Sequence, residues 1–361
     1  LTLKTLPEAT KDMQLPIAIT MGDAAGIGPE IIVKLYQNQP TLSRGTFVAG
    51  DVLTMRRASA LVANVSDTVQ LPVVQVQSSG ESFACPEGCI PVLQVGPALE
   101  PVQPGQVNSS AGEFSGRCIF WAAKAALHGE LAAIVTAPIH KEALHAAGEP
   151  YANYPGHTEM LQAAAATYLN RPLEQLPVRM MLANDELRVV LVSIHVSLRD
   201  AIEAVTTDNV LQTIAITHGA LEGILGRSPR IAVAGLNPHA GESGLFGREE
   251  LDVIAPAIAL ARKLGCNAIG PLAPDTVFMR ARRGVAGKVD EFDAVVAMYH
   301  DQGLIPVKYL GVDTGVNVTL GLPLIRTSPD HGTAFDIAGR GVADPASLME
   351  ALRVAKTLIT S

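Results

Sequence analysis

Pro16-Ile17-Ala18-Ile19-Thr20-Met21-Gly22-Asp23-Ala24-Ala25-Gly26-Ile27-Gly28-Pro29-Glu30 carries the reading of the fold. It opens with a short apolar run that ends abruptly at Met21-Gly22-Asp23. An apolar run this short, closed by a turn signal, fits a buried strand. Pro29 suits the first turn of a helix, where its missing N–H would have no partner anyway. The stretch therefore reads strand, turn, helix. Its glycines allow close backbone approach to a ligand. Their spacing is not Gly-x-Gly-x-x-Gly, so a Rossmann dinucleotide site is disfavoured. A purely structural strand-to-helix turn stays open as the alternative.

The same pattern recurs along the chain. Phe47-Val48-Ala49 leads into Gly50-Asp51, and Ala132 to Val135 leads into Thr136-Ala137-Pro138. Val189 to Ile194 stops at His195, Ile231 to Ala234 leads towards Asn237-Pro238-His239, and Ala294 to Met298 leads into Tyr299-His300-Asp301. Helical patterns lie between: Ser115 to Leu131, Asp208 to Leu225, and Glu249 to Leu264 with acidic residues at its start. The alternation predicts an α/β fold with largely parallel sheets. Gln75 to Asn108 is rich in Gly, Pro and Ser and reads as a loop-rich excursion.

Composition narrows the function classes. The 361 residues suggest two domains or two lobes. With 48% hydrophobic and 17% charged residues, the chain can bury a sizeable core and is not disordered. Aromatics make up only 4%, too few for base-stacking platforms. The net charge of -8, without a Lys/Arg cluster, argues against nucleic acid as a partner. Cys85, Cys89, Cys118 and Cys266 are too few for a disulfide framework. Cys85 and Cys89 read as reduced loop thiols, with a local bridge or half a metal site as alternatives. Leu1 to Gln14 is polar and lacks the apolar core of a signal peptide. Met13 is a candidate natural start, with the residues before it an extension. No window approaches the roughly 18 apolar residues of a membrane span. The expectation is a cytoplasmic protein with no membrane partner.

Ligands of open α/β folds gather beyond the carboxyl ends of the strands. His195, His239 and His300 all fall at such ends. Three imidazoles with an open position suit a divalent metal, zinc being the commonest. Structural histidines are the alternative for each alone. In Pro155-Gly156-His157-Thr158-Glu159, Thr158 reads as a helix N-cap beside N–H groups able to hold an anion. Lys308, Asn317 and Arg326 could form a clamp for phosphate or carboxylate. Ser328-Pro329-Asp330-His331-Gly332-Thr333-Ala334-Phe335-Asp336-Ile337-Ala338-Gly339-Arg340-Gly341 offers His331 and Asp336 for an adenine ring and ribose. A Gly-rich surface loop is the alternative there.

This last segment resembles the His-Gly-Ser/Thr-Ala-x-Asp-Ile-Ala-Gly signature of the β-decarboxylating dehydrogenases. The full set of motifs is closer to the 4-hydroxythreonine-4-phosphate dehydrogenase family. Those motifs are Ile19 to Glu30, Gly156-His157-Thr158-Glu159, Leu236 to Glu242, Met298 to Gly303, and Asn317 to Gly341. The resemblance runs from about residue 15 to the end of the sequence. It implies a two-lobed fold like isopropylmalate dehydrogenase, with a cleft between the lobes. Residues 1–136 and 312–361 would form the first lobe and 137–311 the second.

The resemblance also implies a homodimer with a shared active site. His195, His239 and His300 match metal ligands, one of them given by the partner chain. The metal would be Zn, with Co, Mn, Ni or Mg as other possibilities. His157, Thr158, Lys308, Asn317 and Arg326 match substrate contacts, and Asp275 matches a further residue near the substrate. NAD would be held by the segment carrying His331, Gly332 and Asp336.

The implied reaction is metal-dependent, NAD-linked oxidation of a secondary alcohol in a small anionic substrate. The product is a β-keto acid that loses CO2, with Asp275 or Lys308 as candidate base. 4-Phosphohydroxy-L-threonine and related four-carbon sugar-acid phosphates are the favoured substrates. Ala24 stands where the family often has proline, which leaves that turn less rigid. Ile305-Pro306-Val307-Lys308 and Gly244-Leu245-Phe246-Gly247 leave room for a paralogous subgroup. The wider family includes dehydrogenases of carboxylated cis-dihydrodiols such as that from terephthalate. A non-catalytic ligand-binding module is the alternative of another class.

Overall fold

The computed structural model describes residues 14–285, 288–311 and 315–360. The candidate start Met13 and the extension before it lie outside the described residues. The chain forms two compact units. The first runs to Leu176 and resumes over Leu322–Ile359; the second spans Pro177–Gly321. The sequence reading put the crossings at 136/137 and 311/312. The difference has a packing cause. Helices Lys141–Ala146 and His157–Leu169 both lie on helix Ser109–Leu127, so residues 137–176 stay with the first unit. The contact is close at Gly112, where a Cβ would sit 2.0 Å from the Ala143 carbonyl oxygen.

In chain order the strands are β1 Ile17–Thr20, β2 Thr46–Gly50, β3 Val73–Val76, β4 Ile90–Gln94 and β5 Ala133–Thr136. The second unit adds β6 Arg179–Ala183, β7 Arg188–Leu191, β8 Ile231–Ala234, β9 Ala268–Leu272, β10 Ala294–Ala297 and β11 Val316–Leu320. Strand β12, Arg326–Pro329, returns to the first unit. There the order is β3-β4-β2-β1-β5-β12, with parallel pairing throughout. In the second unit the order is β11-β6-β7-β10-β8-β9. Strand β6 runs antiparallel to β11 and β7, and the remaining pairs are parallel. This is the largely parallel α/β architecture the alternation predicts.

Both faces of these strands are covered, which explains their continuous apolar character. In the second unit Ile231 and Val233 of β8 and Val296 of β10 pack with Val210, Ile214 and Ile258. The alternate residues Ala232, Ala234, Val295 and Ala297 pack with Val277, Leu304 and Val307 on the other face. In the first unit all four residues of β1 are buried. Asp51 and Asn108 cap the helices Val52–Ser66 and Ser109–Leu127, each accepting a backbone N–H of the first turn.

Two readings need correction. The excursion 75–108 holds the end of β3, a 3-10 turn at Ser79–Ala84 and all of β4. Strand β3 lies at the sheet edge and is half-exposed, so its apolar signal is weak. The helix expected over Glu249 to Leu264 forms as a π-helical turn, Glu250–Ile254, followed by an α-helix, Ala255–Lys263. Pro256 near the junction cannot supply the N–H of a regular α-helical turn. No helix among the described residues is long and apolar enough to cross a membrane.

Gly112→Ala is expected to destabilise the chain by about 2 kcal/mol through overpacking. Gly219, inside helix Thr207–Leu225, faces open space. Gly219→Ala is expected to stabilise by about 0.5–1 kcal/mol. Denaturant midpoints of the two variants check the contrast.

Candidate active site

In the first unit the polar groups collect where β1, β5 and β12 bring them together. Thr136 ends β5, and Arg326 opens the neighbouring strand β12. Arg326 is buried and donates from Nε and Nη2 to Thr136 Oγ1, at 3.1 and 2.7 Å. Burial pulls the guanidinium down to about 10, against the opposing charge of Glu159. It remains a cation at neutral pH. His157 opens helix His157–Leu169. Burial, helped by the charge of Arg326, holds its imidazole well below the ordinary histidine range, and the Ala137 carbonyl only partly opposes this. His157 is thus neutral at pH 7, and its buried Nε2 has no hydrogen-bond partner.

Thr158 is not the cap that the sequence suggested. Gly156 takes the cap position, with φ 174, and Thr158 lies half-buried in the first turn. A helix N-terminus, a buried arginine and a neutral imidazole together can hold an anion.

The turn after β1 ties the segment 328–341 in place. Glu30 is buried, and its two carboxylate oxygens accept the N–H groups of Gly339 at 2.6 Å and Gly341 at 2.7 Å. Burial raises the Glu30 carboxyl, while those two N–H groups oppose it. Gly339 and Gly341 have φ of 78 and 68, a region that favours glycine. Ile27 N–H donates to the Thr333 carbonyl at 3.0 Å. His331 and Asp336 are exposed on this anchored segment, and a Cβ at Gly332 would meet open space. The backbone and both side chains are therefore open to solvent on this segment.

In the second unit β7 and β10 are parallel neighbours. The chain leaves β7 towards His195 and leaves β10 into His300, which opens helix His300–Leu310. The two rings lie 5.7 Å apart between centroids. His300 Nδ1 is 2.7 Å from Asp301 Oδ1, which leaves Nε2 available as a ligand atom. Two imidazoles at this separation fit a shared divalent ion.

His239 stands in the loop that follows β8. It heads a left-handed stretch, His239 to Ser243, with φ between 42 and 77, and its ring lies 6.3 Å from that of Phe246. Such backbone costs about 1–2 kcal/mol for each non-glycine residue. Glu250 holds the start of the arch: its carboxylate accepts the N–H groups of Leu236 and Asn237 at 2.7 Å and the Asn237 side chain at 3.0 Å. Among the described residues no three His, Cys, Asp or Glu side chains gather as a metal site. His195 and His300 meet within one chain.

Lys308 lies half-buried on helix His300–Leu310, and Asn317 half-buried in β11 opposite Leu182. Both belong to the second unit, whereas Arg326 belongs to the first. Asp275 is exposed between β9 and helix Val277–Ala281. The sequence reading did not single out Thr136, Glu159, Glu30, Asp23, His140 or Glu250. Position was the signal for four of them: Thr136 and Asp23 close apolar runs, and Glu30 and Glu159 end quoted motifs.

Largely parallel α/β units, one with an anion-holding helix start and an anchored glycine-rich loop, the other with paired imidazoles, suit a dehydrogenase of small anionic substrates. Over residues 43–355 the chain matches the family described as pyridoxal phosphate biosynthetic protein PdxA, and it belongs to that family. It is 49% identical over 343 residues to 4-hydroxythreonine-4-phosphate dehydrogenase of Beijerinckia indica subsp. indica, covering 95% of each chain. It is 43% identical over 344 residues to D-threonate 4-phosphate dehydrogenase of Pectobacterium atrosepticum, covering 95% of this chain and 98% of the relative. The solved 4-hydroxythreonine-4-phosphate dehydrogenase of Klebsiella pneumoniae superposes with a TM-score of 0.83 at 40% identity, covering 96% of this chain and 100% of that one. The chain is thus an oxidoreductase of the dehydrogenase type.

The neutral buried His157 sets a pH dependence. Its folded-state affinity for protons lies below its unfolded one, so acid favours unfolding. The stability it contributes is present above about pH 6.5 and is lost as pH falls below that value. The melting temperature should drop between pH 7 and pH 5, and His157→Asn should flatten that slope.

Proposed function

We propose that the chain oxidises a secondary alcohol in a phosphorylated four-carbon hydroxy acid, with NAD as hydride acceptor and a divalent metal ion. 4-Phosphohydroxy-threonine and D-threonate 4-phosphate are the substrates that the relatives' names supply. The observation that carries this reading is the His195–His300 pair, with Asp301 orienting His300. Paired imidazoles with an outer carboxylate are the donor set of a catalytic metal, and zinc is the favoured ion, with Co, Mn, Ni or Mg as alternatives.

His195 and His300 would hold the ion. Bound there, it would lower the pKa of the substrate hydroxyl and polarise the ketone formed by hydride loss, which assists departure of CO2 from a β-keto acid. We assign proton removal to Lys308 or Asp275. Arg326, His157 and Thr158 are assigned to the anionic substrate, and Asn317 to a further hydrogen bond. Arg326, fixed by Thr136, would bring a buried positive charge to the phosphate, and a neutral His157 can donate or accept without adding a second one. His331, Gly332 and Asp336 would hold the adenosine part of NAD.

We further propose that the chain works as a homodimer and that a second copy supplies the third imidazole. Support comes from the exposed apolar side chains next to both histidine loops: Val196 (53%), Leu198 (61%), Leu245 (73%) and Phe246 (48%). A self-complementary apolar face is what a two-fold dimer covers. All four cysteines are unbridged, which supports a reducing, cytoplasmic setting.

His300→Ala is expected to lose bound metal by elemental analysis and to lower turnover by about 10³-fold or more, with the fold intact by circular dichroism. Full turnover without metal would overturn the reading. Arg326→Lys is expected to raise KM for the phosphorylated substrate by roughly tenfold, because an ammonium cannot keep the paired hydrogen bonds to Thr136 that fix the charge.

A further inference from the structure

The proposed reaction makes no use of Cys85 or Cys89, which stand either side of Pro86-Glu87-Gly88. Cys85 closes the 3-10 turn Ser79–Ala84, and Cys89 directly precedes β4. Glu87 and Gly88 form a turn between them, with Gly88 at φ 81, a region that favours glycine. The turn folds the chain back, and both cysteines line one cavity of about 620 Å³. That volume lies within the range of small-molecule sites, about 300–1,000 Å³.

Access separates this pair from the other cysteines. Cys118 and Cys266 are buried, whereas Cys85 and Cys89 are part-exposed, and all four are unbridged. Both flanks of the pair are held. Phe83 of the 3-10 turn packs against Gly45, where a Cβ would lie 2.8 Å from its ring, and Ile90 N–H donates to the Pro72 carbonyl at 2.8 Å. Between these anchors Pro86, Glu87 and Gly88 are exposed, and a Cβ on Gly88 would meet open space, so the turn can adjust without disturbing packed atoms. A β-turn keeps its ends within about 7 Å, and a disulfide spans Cα separations up to about 6.8 Å. Among the described residues no group of three His, Cys, Asp or Glu gathers here, so the pair suits thiol–disulfide exchange better than a metal.

From this placement we infer that Cys85 and Cys89 are a reversible dithiol, oxidised to an intramolecular disulfide by a small-molecule disulfide that enters the cavity. Burial, then the charges of Cys89 and Glu81, push the Cys85 thiol up, so the first attack is assigned to Cys89. The Cys89 thiolate attacks one sulfur of the reagent, whose S–S bond breaks; a mixed disulfide forms on Cys89 and one thiolate leaves. The Cys85 thiolate then attacks the Cys89 sulfur and expels the second thiolate. The protein loses two electrons and two protons; the reagent's sulfurs take both and leave as two thiols. A reducing setting keeps the pair open, and an excess of small disulfide closes it.

The test treats the folded, full-length chain with oxidised glutathione and then with reduced glutathione, without denaturant. Peptide mass spectrometry should find the peptide carrying Cys85 and Cys89 lighter by two hydrogens, with Cys118 and Cys266 still free. Reduced glutathione should restore all four thiols. Cys85→Ser removes the resolving thiol and should trap one glutathione on Cys89, about 10-fold or more of the adduct that the wild-type chain retains. Separate glutathione adducts on Cys85 and Cys89 of the wild-type chain would overturn the inference. So would a bridge that forms only in denaturant, no reaction of the pair with oxidised glutathione, or a Cys85→Ser chain that traps no glutathione.

Discussion

The buried carboxylate of Glu30 is the constraint on which the first unit's site depends. It stands in the first turn of the helix after β1 and accepts two N–H groups from a segment more than 300 residues later. Those N–H groups belong to glycines in left-handed backbone, which only a specific partner would hold. Removing the carboxylate would strand two buried donors and release the loop that carries His331 and Asp336. The Gly-Ile-Gly-Pro-Glu motif therefore acts here as a bracket for a loop far away in sequence.

The second unit shows a matching economy. Glu250 is another buried carboxylate that accepts backbone N–H groups, here Leu236 and Asn237. It fixes the start of an arch whose left-handed residues would not hold that shape alone. In both units a carboxylate fixes backbone so that other side chains can meet a ligand. The strand ends then decide which side chains meet: parallel neighbours β7 and β10 bring His195 and His300 together.

Much of this was legible in the sequence because burial on two faces leaves a strong trace. All six apolar runs form strands, since each alternates its residues between two covered faces. Edge strand β3 left a weak trace because half its surface meets solvent. The histidines were readable as strand-end residues, but their meeting was not. That depends on strand order, which sets β7 beside β10. Thr158 looked like a cap because threonine often is one, yet Gly156 took the place. His140 and Glu250 carried no pattern of their own, because their roles follow from how loops pack.

We propose that this dehydrogenase oxidises a four-carbon hydroxy acid recognised through its phosphate. The most direct measurement is NAD reduction, followed at 340 nm, with D-threonate 4-phosphate and 4-phosphohydroxy-threonine beside their dephosphorylated forms. NADH formation is expected with at least one phosphate ester, and little or none with the dephosphorylated acids. Equal turnover with and without the phosphate, or no NAD reduction with either ester, would contradict it.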